Sequence, residues 1–236
     1  MNQHPPVARA KGLQQTYDTI AEDYGDGIAI INAFHSRFYI RHTPQNKGSV
    51  LDIGCGTGDI LARLSAKFAH SFGVDPIQKF VTAAKQRAPR AHSIVGVAED
   101  LPFEDETMDY IISHVAFQHA DRERALCEAL RVLRPGGRLI IAEALSKKAP
   151  GPLPGVELYR RLRFNYFLIS HYGMKRAKRA KAYRTSSDWK ELTDIHRSRR
   201  FDFEQLWVFY AKQLPGAVFK RLEPKIIAVV WDKPIA

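Results

Sequence analysis

The stretch Ser49-Val50-Leu51-Asp52-Ile53-Gly54-Cys55-Gly56-Thr57-Gly58 constrains this chain more than any other. Its apolar part, Val50 to Ile53, has the length of a buried strand and runs into glycines at alternate positions. Behind it, Asp59 to Phe68 carries Ile60, Leu61, Leu64 and Phe68 at helical spacing. Strand, glycine turn, helix is therefore the local order. Glycines suit such a turn because they accept positive φ and let a ligand lie directly on the backbone. The helix start adds unpaired N–H groups and a positive dipole end. A dinucleotide fingerprint reads G-x-G-x-x-G. Gly54, Gly56 and Gly58 are each two apart, with Asp52 two before the first, which is a different pattern.

The elements that follow repeat the alternation. Ser71 to Asp75 reads as a second strand, and Ile77 to Arg87 as a helix with Ile77, Phe80, Val81 and Ala84 on one side. Ser93 to Val97 is a third strand, and Asp109 to Ser113 a fourth that delivers His114 to its carboxyl end. A helix starts near Asp121, carries Leu126, Leu130 and Leu133, and is stopped by Arg134-Pro135-Gly136-Gly137. Arg138 to Ala142 is the fifth strand. Strands separated by helices in this way predict an α/β fold with a doubly wound, mostly parallel sheet and right-handed crossovers.

Both flanks depart from that rhythm. Leu13, Tyr17, Ile20 and Tyr24, then Ile28, Ile31, Phe34 and Phe38, predict two helices ahead of the sheet, an N-terminal helical cap over residues 1–45. Residues 147–155 are loop-like by their Pro and Gly content. Beyond them Leu158, Leu162, Tyr166 and Ile169 lie at helical spacing among arginines, with Phe164, Phe167 and Leu168 on a second side. This is read as a basic helical lid inserted over 147–185. Ser186 or Ser187 is placed to cap a helix running to Ile195, and Phe203 to Tyr210 and Lys225 to Trp231 read as two strands with Leu214-Pro215-Gly216 in the turn region between them. The main domain is thus expected over 46–146 and 186–236, with seven strands in all.

At 236 residues the chain has room for one such domain plus an insert. No run reaches transmembrane length, residues 1–12 lack the apolar core of a signal peptide, and a cytoplasmic location is expected. Cys55 and Cys127, the two cysteines, lack zinc or disulfide-framework spacing, so reduced thiols and no metal are expected. The net charge is +11, and much of the basicity is local. No acid stands between Glu157 and Asp188, while Arg160, Arg161, Arg163, Lys175, Arg176, Lys178, Arg179, Lys181 and Arg184 do. Such a stretch is either a solvated helix face or a surface for an anionic partner.

Four segments, Val50 to Gly58, Gly73-Val74-Asp75-Pro76, Ala98-Glu99-Asp100-Leu101-Pro102-Phe103 and Arg131-Val132-Leu133-Arg134-Pro135-Gly136-Gly137, resemble the class I S-adenosylmethionine-dependent methyltransferases. The likeness covers about residues 13 to 145 and is strongest to the ubiquinone and menaquinone biosynthesis branch. It implies S-adenosylmethionine as cofactor, held by Tyr17, Tyr24, Asp52, Gly54, Cys55, Gly56, Asp75, Pro76, Val97, Ala98, Glu99 and His114. By the same resemblance the tyrosines approach the methionine end, Asp75 takes the ribose hydroxyls, and the 98–103 loop holds the adenine. Many relatives carry an aspartate where this chain has Val97, so a backbone carbonyl or Glu99 has to meet the adenine amino group.

Methyl transfer from a sulfonium asks the protein mainly to align the acceptor and exclude water. A general base helps a phenol, an enol or a protonated amine, and histidine suits neutral pH. His119 and His114 are the candidates for that role. A small acceptor that is hydrophobic, anionic or both fits the greasy, basic lid. RNA is the alternative partner, since cations interleaved with Tyr159, Phe164, Tyr166, Tyr172 and Tyr183 suit phosphates and bases. An anionic membrane surface is a third candidate.

Overall fold

The computed structural model describes residues 29, 31–147, 149, 154–183 and 200–235. Helix α1 (31–41) precedes strand β1 (Ser49–Ile53), and the glycine turn leads to α2 (Asp59–Leu64). Then come β2 (His70–Asp75), α3 (Gln78–Arg87), β3 (His92–Val95) and β4 (Met108–His114). A 3₁₀ turn (Phe117–His119), α4 (Arg122–Val132), β5 (Leu133–Ala144) and the long helical stretch α5 (Pro154–Tyr183) follow. The chain ends in α6 (Phe203–Gln213), β6 (Val218–Glu223) and β7 (Ile226–Asp232). The sheet has seven strands in the order β3-β2-β1-β4-β5-β7-β6. The first five are parallel, and β7 runs antiparallel to both neighbours. This is the mostly parallel, doubly wound sheet that the alternation of elements predicts.

Strand residues alternate between two cores. Leu51, Ile53, Ile111, Leu139, Ile141, Ile227 and Val229 face α4 and α6. Val50, Tyr110, Ile112, Ile140, Ala142, Ala228 and Val230 face Tyr39 of α1 and Ile60 and Leu64 of α2. Central strands buried on both faces read as unbroken apolar runs, which is why β1 and β4 were visible in the sequence.

Three expectations change. Phe203 to Tyr210 is helical rather than a strand. Asp202 and Gln205 form a reciprocal capping box, and Leu206, Tyr210 and Leu214 recur every four residues toward the core. The sixth strand is Val218–Glu223, a half-exposed edge whose charged Lys220, Arg221 and Glu223 hide it from a hydropathy reading. Arg134 to Gly137 does not simply end a helix. It bulges out of β5, so that Met108 pairs with Leu133 and Tyr110 with Arg138, and Arg134 bonds both oxygens of Asp109 at 3.0 Å. Residues 1–28, which hold the first expected helix, and the expected helix from 186 to Ile195 lie outside the described residues.

Helix α1 packs on α5. Ala33 and Phe34 of α1 meet Phe164, Phe167, Leu168, Tyr172 and Ala177 of α5. Gly173, at φ 74° and ψ 164°, breaks α5 into two helical segments. Among the described residues no helix is long and apolar enough to cross a membrane.

Candidate active site

The carboxyl ends of β1, β2 and β4 meet at the glycine turn, the position where open α/β sheets take their ligands. Gly54 has φ 74°, and a Cβ there would overlap the Ala116 Cβ. Gly58 has φ 79°, and a Cβ there would lie 2.9 Å from the Ala84 Cα. Both positions admit only glycine, for conformation and for space. Gly56 is different. Its φ is 52°, and a Cβ there would meet no atom within 4 Å. The turn is thus pinned at its two ends and open in the middle.

Its amides are largely engaged within the protein. Gly54 and Cys55 N–H donate to the Val74 carbonyl at 2.7 and 3.1 Å, and Gly58 N–H to the Cys55 carbonyl at 2.9 Å. Gly56 N–H donates to Asp75 Oδ2 at 2.9 Å, while Ile77 N–H donates to Asp75 Oδ1 at the same distance. The positive end of α2 is met by its own first-turn acid, Asp59, which is buried and bonded to Thr57 and Arg87.

What the turn presents instead is a pair of buried carboxyls, Asp52 and Asp75. Asp52 is buried, and among the described residues its Oδ1 has no hydrogen-bond partner. Burial, then the neighbouring Asp75 and Asp59, push its carboxyl up to about 8. Burial raises Asp75 to about 6 against the pull of its two backbone donors. Burial also pushes the Cys55 thiol up, with Asp52 and Asp75 adding to it. A buried acid without a partner is costly. A cation brought against Asp52 would relieve that cost. S-adenosylmethionine carries a sulfonium and an ammonium, so these residues fit it.

At the end of β4, Val115 has φ 57°, a strained conformation for a β-branched residue, and its N–H donates to the Ala142 carbonyl at 2.7 Å. Next to it His114 is the hub of a side-chain chain. Its Nδ1 lies 2.9 Å from the Tyr39 hydroxyl, its Nε2 lies 3.0 Å from His35 Nδ1, and His35 Nε2 lies 3.1 Å from Glu223 Oε1. An ionised carboxylate only accepts. With both rings neutral, His35 therefore donates to Glu223, His114 donates to His35, and Tyr39 donates to His114. Burial, then His35, hold the His114 ring well below the usual imidazole range. Both of its nitrogens are committed inside the protein.

His119 closes the 3₁₀ turn, with Nδ1 buried and Nε2 3.2 Å from Gln118 Nε2. Glu99 is buried, and its Oε1 accepts from Asp121 N–H at 2.8 Å, so one carboxylate oxygen caps the approach to α4. Val97 bridges to Asp100, and Ala98 packs on the core that faces α4. Pro76 is half-buried between Asp75 and Ile77. Tyr17 and Tyr24 lie outside the described residues. Sequence reasoning missed His35, Tyr39 and Glu223. They stand 79, 75 and up to 188 residues from their partners, so no local spacing connects them. Only the i, i+4 recurrence of Ile31, His35 and Tyr39 hinted that this face of α1 is buried.

Comparison with known proteins agrees with this geometry. A family profile described as a methyltransferase domain matches residues 51–141. The chain is 40% identical over 144 residues to a demethylmenaquinone methyltransferase of Thermotoga maritima, covering 57% of this chain and 62% of that one. It is 29% identical over 177 residues to a ubiquinone/menaquinone biosynthesis C-methyltransferase of Geotalea daltonii, covering 68% and 72%. The match spans 40% of the length of an uncharacterized methyltransferase of Mycobacterium bovis, at 38% identity over 96 residues. Among solved structures, a SAM-dependent methyltransferase from Aquifex aeolicus superposes with a TM-score of 0.55 over 97% of this chain and 99% of that one, at 14% identity, a likeness of fold. Residues 51–141 carry a class I S-adenosylmethionine-dependent methyltransferase domain, and the chain is similar there to methyltransferases named for ubiquinone and menaquinone biosynthesis.

Proposed function

We propose that this chain transfers a methyl group from S-adenosylmethionine to a small acceptor that is apolar, anionic or both. The observation that carries the reading is the buried Asp52, whose Oδ1 has no hydrogen-bond partner among the described residues, on the strand that leads into the glycine turn. When bound, the cofactor supplies an electrophilic methyl on sulfur, with a neutral thioether as leaving group. The chain's own part is to hold and to shield. Asp52 balances the cofactor's positive charge, Asp75 orders the turn through Gly56 and is offered to the ribose, and the Val97-Ala98-Glu99 segment is offered to the adenine. His114, locked by Tyr39 and His35, is a wall of the acceptor space rather than a free base, which leaves His119 as the candidate general base.

Helix α1 brings His35 and Tyr39 onto His114, and α5 braces α1 from outside through Phe164, Phe167 and Leu168. The relatives named for demethylmenaquinone and for ubiquinone or menaquinone C-methylation favour an aromatic ring with an apolar tail as acceptor. Isothermal titration with S-adenosylmethionine and with its demethylated product tests the cofactor step. Binding of both is expected, weakened at least roughly tenfold by Asp52→Asn, the loss of one charge-assisted contact. No binding, or equal binding by the variant, would remove the basis of the reading.

A further inference from the structure

The side of α5 that faces away from α1 is apolar and open. Leu158, Leu162, Tyr166 and Ile169 recur at spacings of four, four and three, with Tyr159 beside them. At 3.6 residues per turn these five side chains fall within an arc of about 100°. All are exposed, Tyr166 by 74% and Tyr159 by 61%. The opposite side is used: Phe167 and Leu168 are buried against Ala33 and Phe34. Periodicity alone would have put Leu158, Leu162, Tyr166 and Ile169 in the core, yet the structure leaves them in water. Arg163 and Lys178 are exposed on the same element, and the sequence from Arg160 to Arg184 holds nine cations and no acid.

We infer that this face of α5 lies on an anionic lipid surface, with Leu158, Leu162, Tyr166 and Ile169 entering the acyl boundary and the cations meeting the headgroups. An apolar arc on a helix otherwise rich in Arg and Lys is the composition of an interfacial helix. The competing occupants fit less well. A second copy of this chain would bring the same excess of positive charge against itself. Nucleic acid would use the cations and the two tyrosines, but bases stack on aromatic faces and gain nothing from a row of Leu and Ile. The inference stands apart from the reaction, since it involves no residue of the cofactor site.

Vesicle flotation of the full chain tests it, with phosphatidylcholine alone and with phosphatidylcholine mixed with phosphatidylglycerol. The expected result is flotation with the mixed vesicles at least roughly tenfold above that with phosphatidylcholine. It should fall with added salt and be lost in the Leu162→Glu, Tyr166→Glu double variant. Both side chains are exposed, so the variant should keep its melting temperature and its cofactor titration, which separates failure here from failure of the proposed reaction. No flotation, flotation that survives the double variant, a dimer in sedimentation that the double variant dissolves, or tighter binding to a single-stranded RNA oligonucleotide than to the mixed vesicles would each overturn it.

Discussion

The glycine turn and α5 both contain a glycine at φ 74°, and there the similarity ends. Around Gly54 the chain is packed so tightly that one added carbon would overlap Ala116, and buried acids surround it. Around Gly173 a Cβ would meet nothing within 4 Å, and the helix it interrupts is basic, with one apolar side in the open. The first region is specified by its own interior. The second takes half of its specification from α1 and turns the other half outward. Backbone conformation alone therefore says little about what a position contributes; the surroundings decide it.

The largest effect is expected at the turn. Gly54→Ala combines a left-handed conformation that an L side chain resists with a contact far inside van der Waals distance. A loss of about 3 kcal/mol or more is expected, roughly 10 °C in melting temperature for a domain of this size. Calorimetry of the variant checks it. A melting temperature within a degree or two of wild type would show that the β4 end gives way freely, and the turn would lose its claim to be the better specified region.

How legible each region was follows from the same contrast. Val50 to Ile53 and Asp109 to Ser113 are buried on both faces, so an unbroken apolar run announced them. Residues 203–210 are aromatic and β-branched enough to suggest a strand, and a side-chain cap at Asp202 with Gln205 decides for helix. The edge strand at 218–223 has no apolar face to advertise. In the site, Asp52 and Asp75 could be placed from their position at the carboxyl ends of strands, because parallel topology brings strand ends together whatever the loops do. His35 and Glu223 could not, because they meet only after α1 and the last hairpin have docked on the same side of the sheet. On α5 the spacing identified an amphipathic helix, yet not which of its two greasy sides the core would take.

The acids of the turn offer a sharper contrast through pH. Asp52 is raised from 3.8 to about 8 and Asp75 from 3.8 to about 6. An acid whose folded value lies above its unfolded value binds more protons when folded, so its stabilising contribution is full below about pH 4 and is lost as pH climbs to the folded value. From pH 7 to 8 Asp52 is the one of the two still largely protonated, Asp75 having lost most of its proton by pH 7. The cofactor-free protein should therefore lose stability across that window, and Asp52→Asn should flatten the curve there. Bound cation favours the ionised carboxylate, so the cofactor's stabilising shift should grow over the same range in the wild type and stay level in the variant. Thermal melts at pH 6, 7 and 8, with and without the demethylated cofactor, read both slopes. Parallel curves for wild type and variant would mean that Asp52 ionises as an ordinary surface acid, and the charge argument for the site would fall.

The smallest effect is expected at Gly173→Ala, where two opposing terms nearly cancel. A φ of 74° with ψ near 164° lies in a region open almost solely to glycine, so alanine strains the bend by about 1–3 kcal/mol. The chain has an escape that Gly54 lacks, because open space lets residues 174–183 swing into line with 154–172, and alanine favours that continuous helix by about 1 kcal/mol over glycine. Straightening would draw Ala177 out of its contact with Ala33 and Phe167, a loss of one buried methyl, on the order of 1 kcal/mol. The net result should be higher far-ultraviolet ellipticity with a melting temperature changed by less than about 3 °C. Vesicle flotation should persist, since Leu158 to Ile169 all precede the bend. A destabilisation as large as that of Gly54→Ala would show the bend to be locked by packing, and the two glycines would then be alike in surroundings as well as in φ.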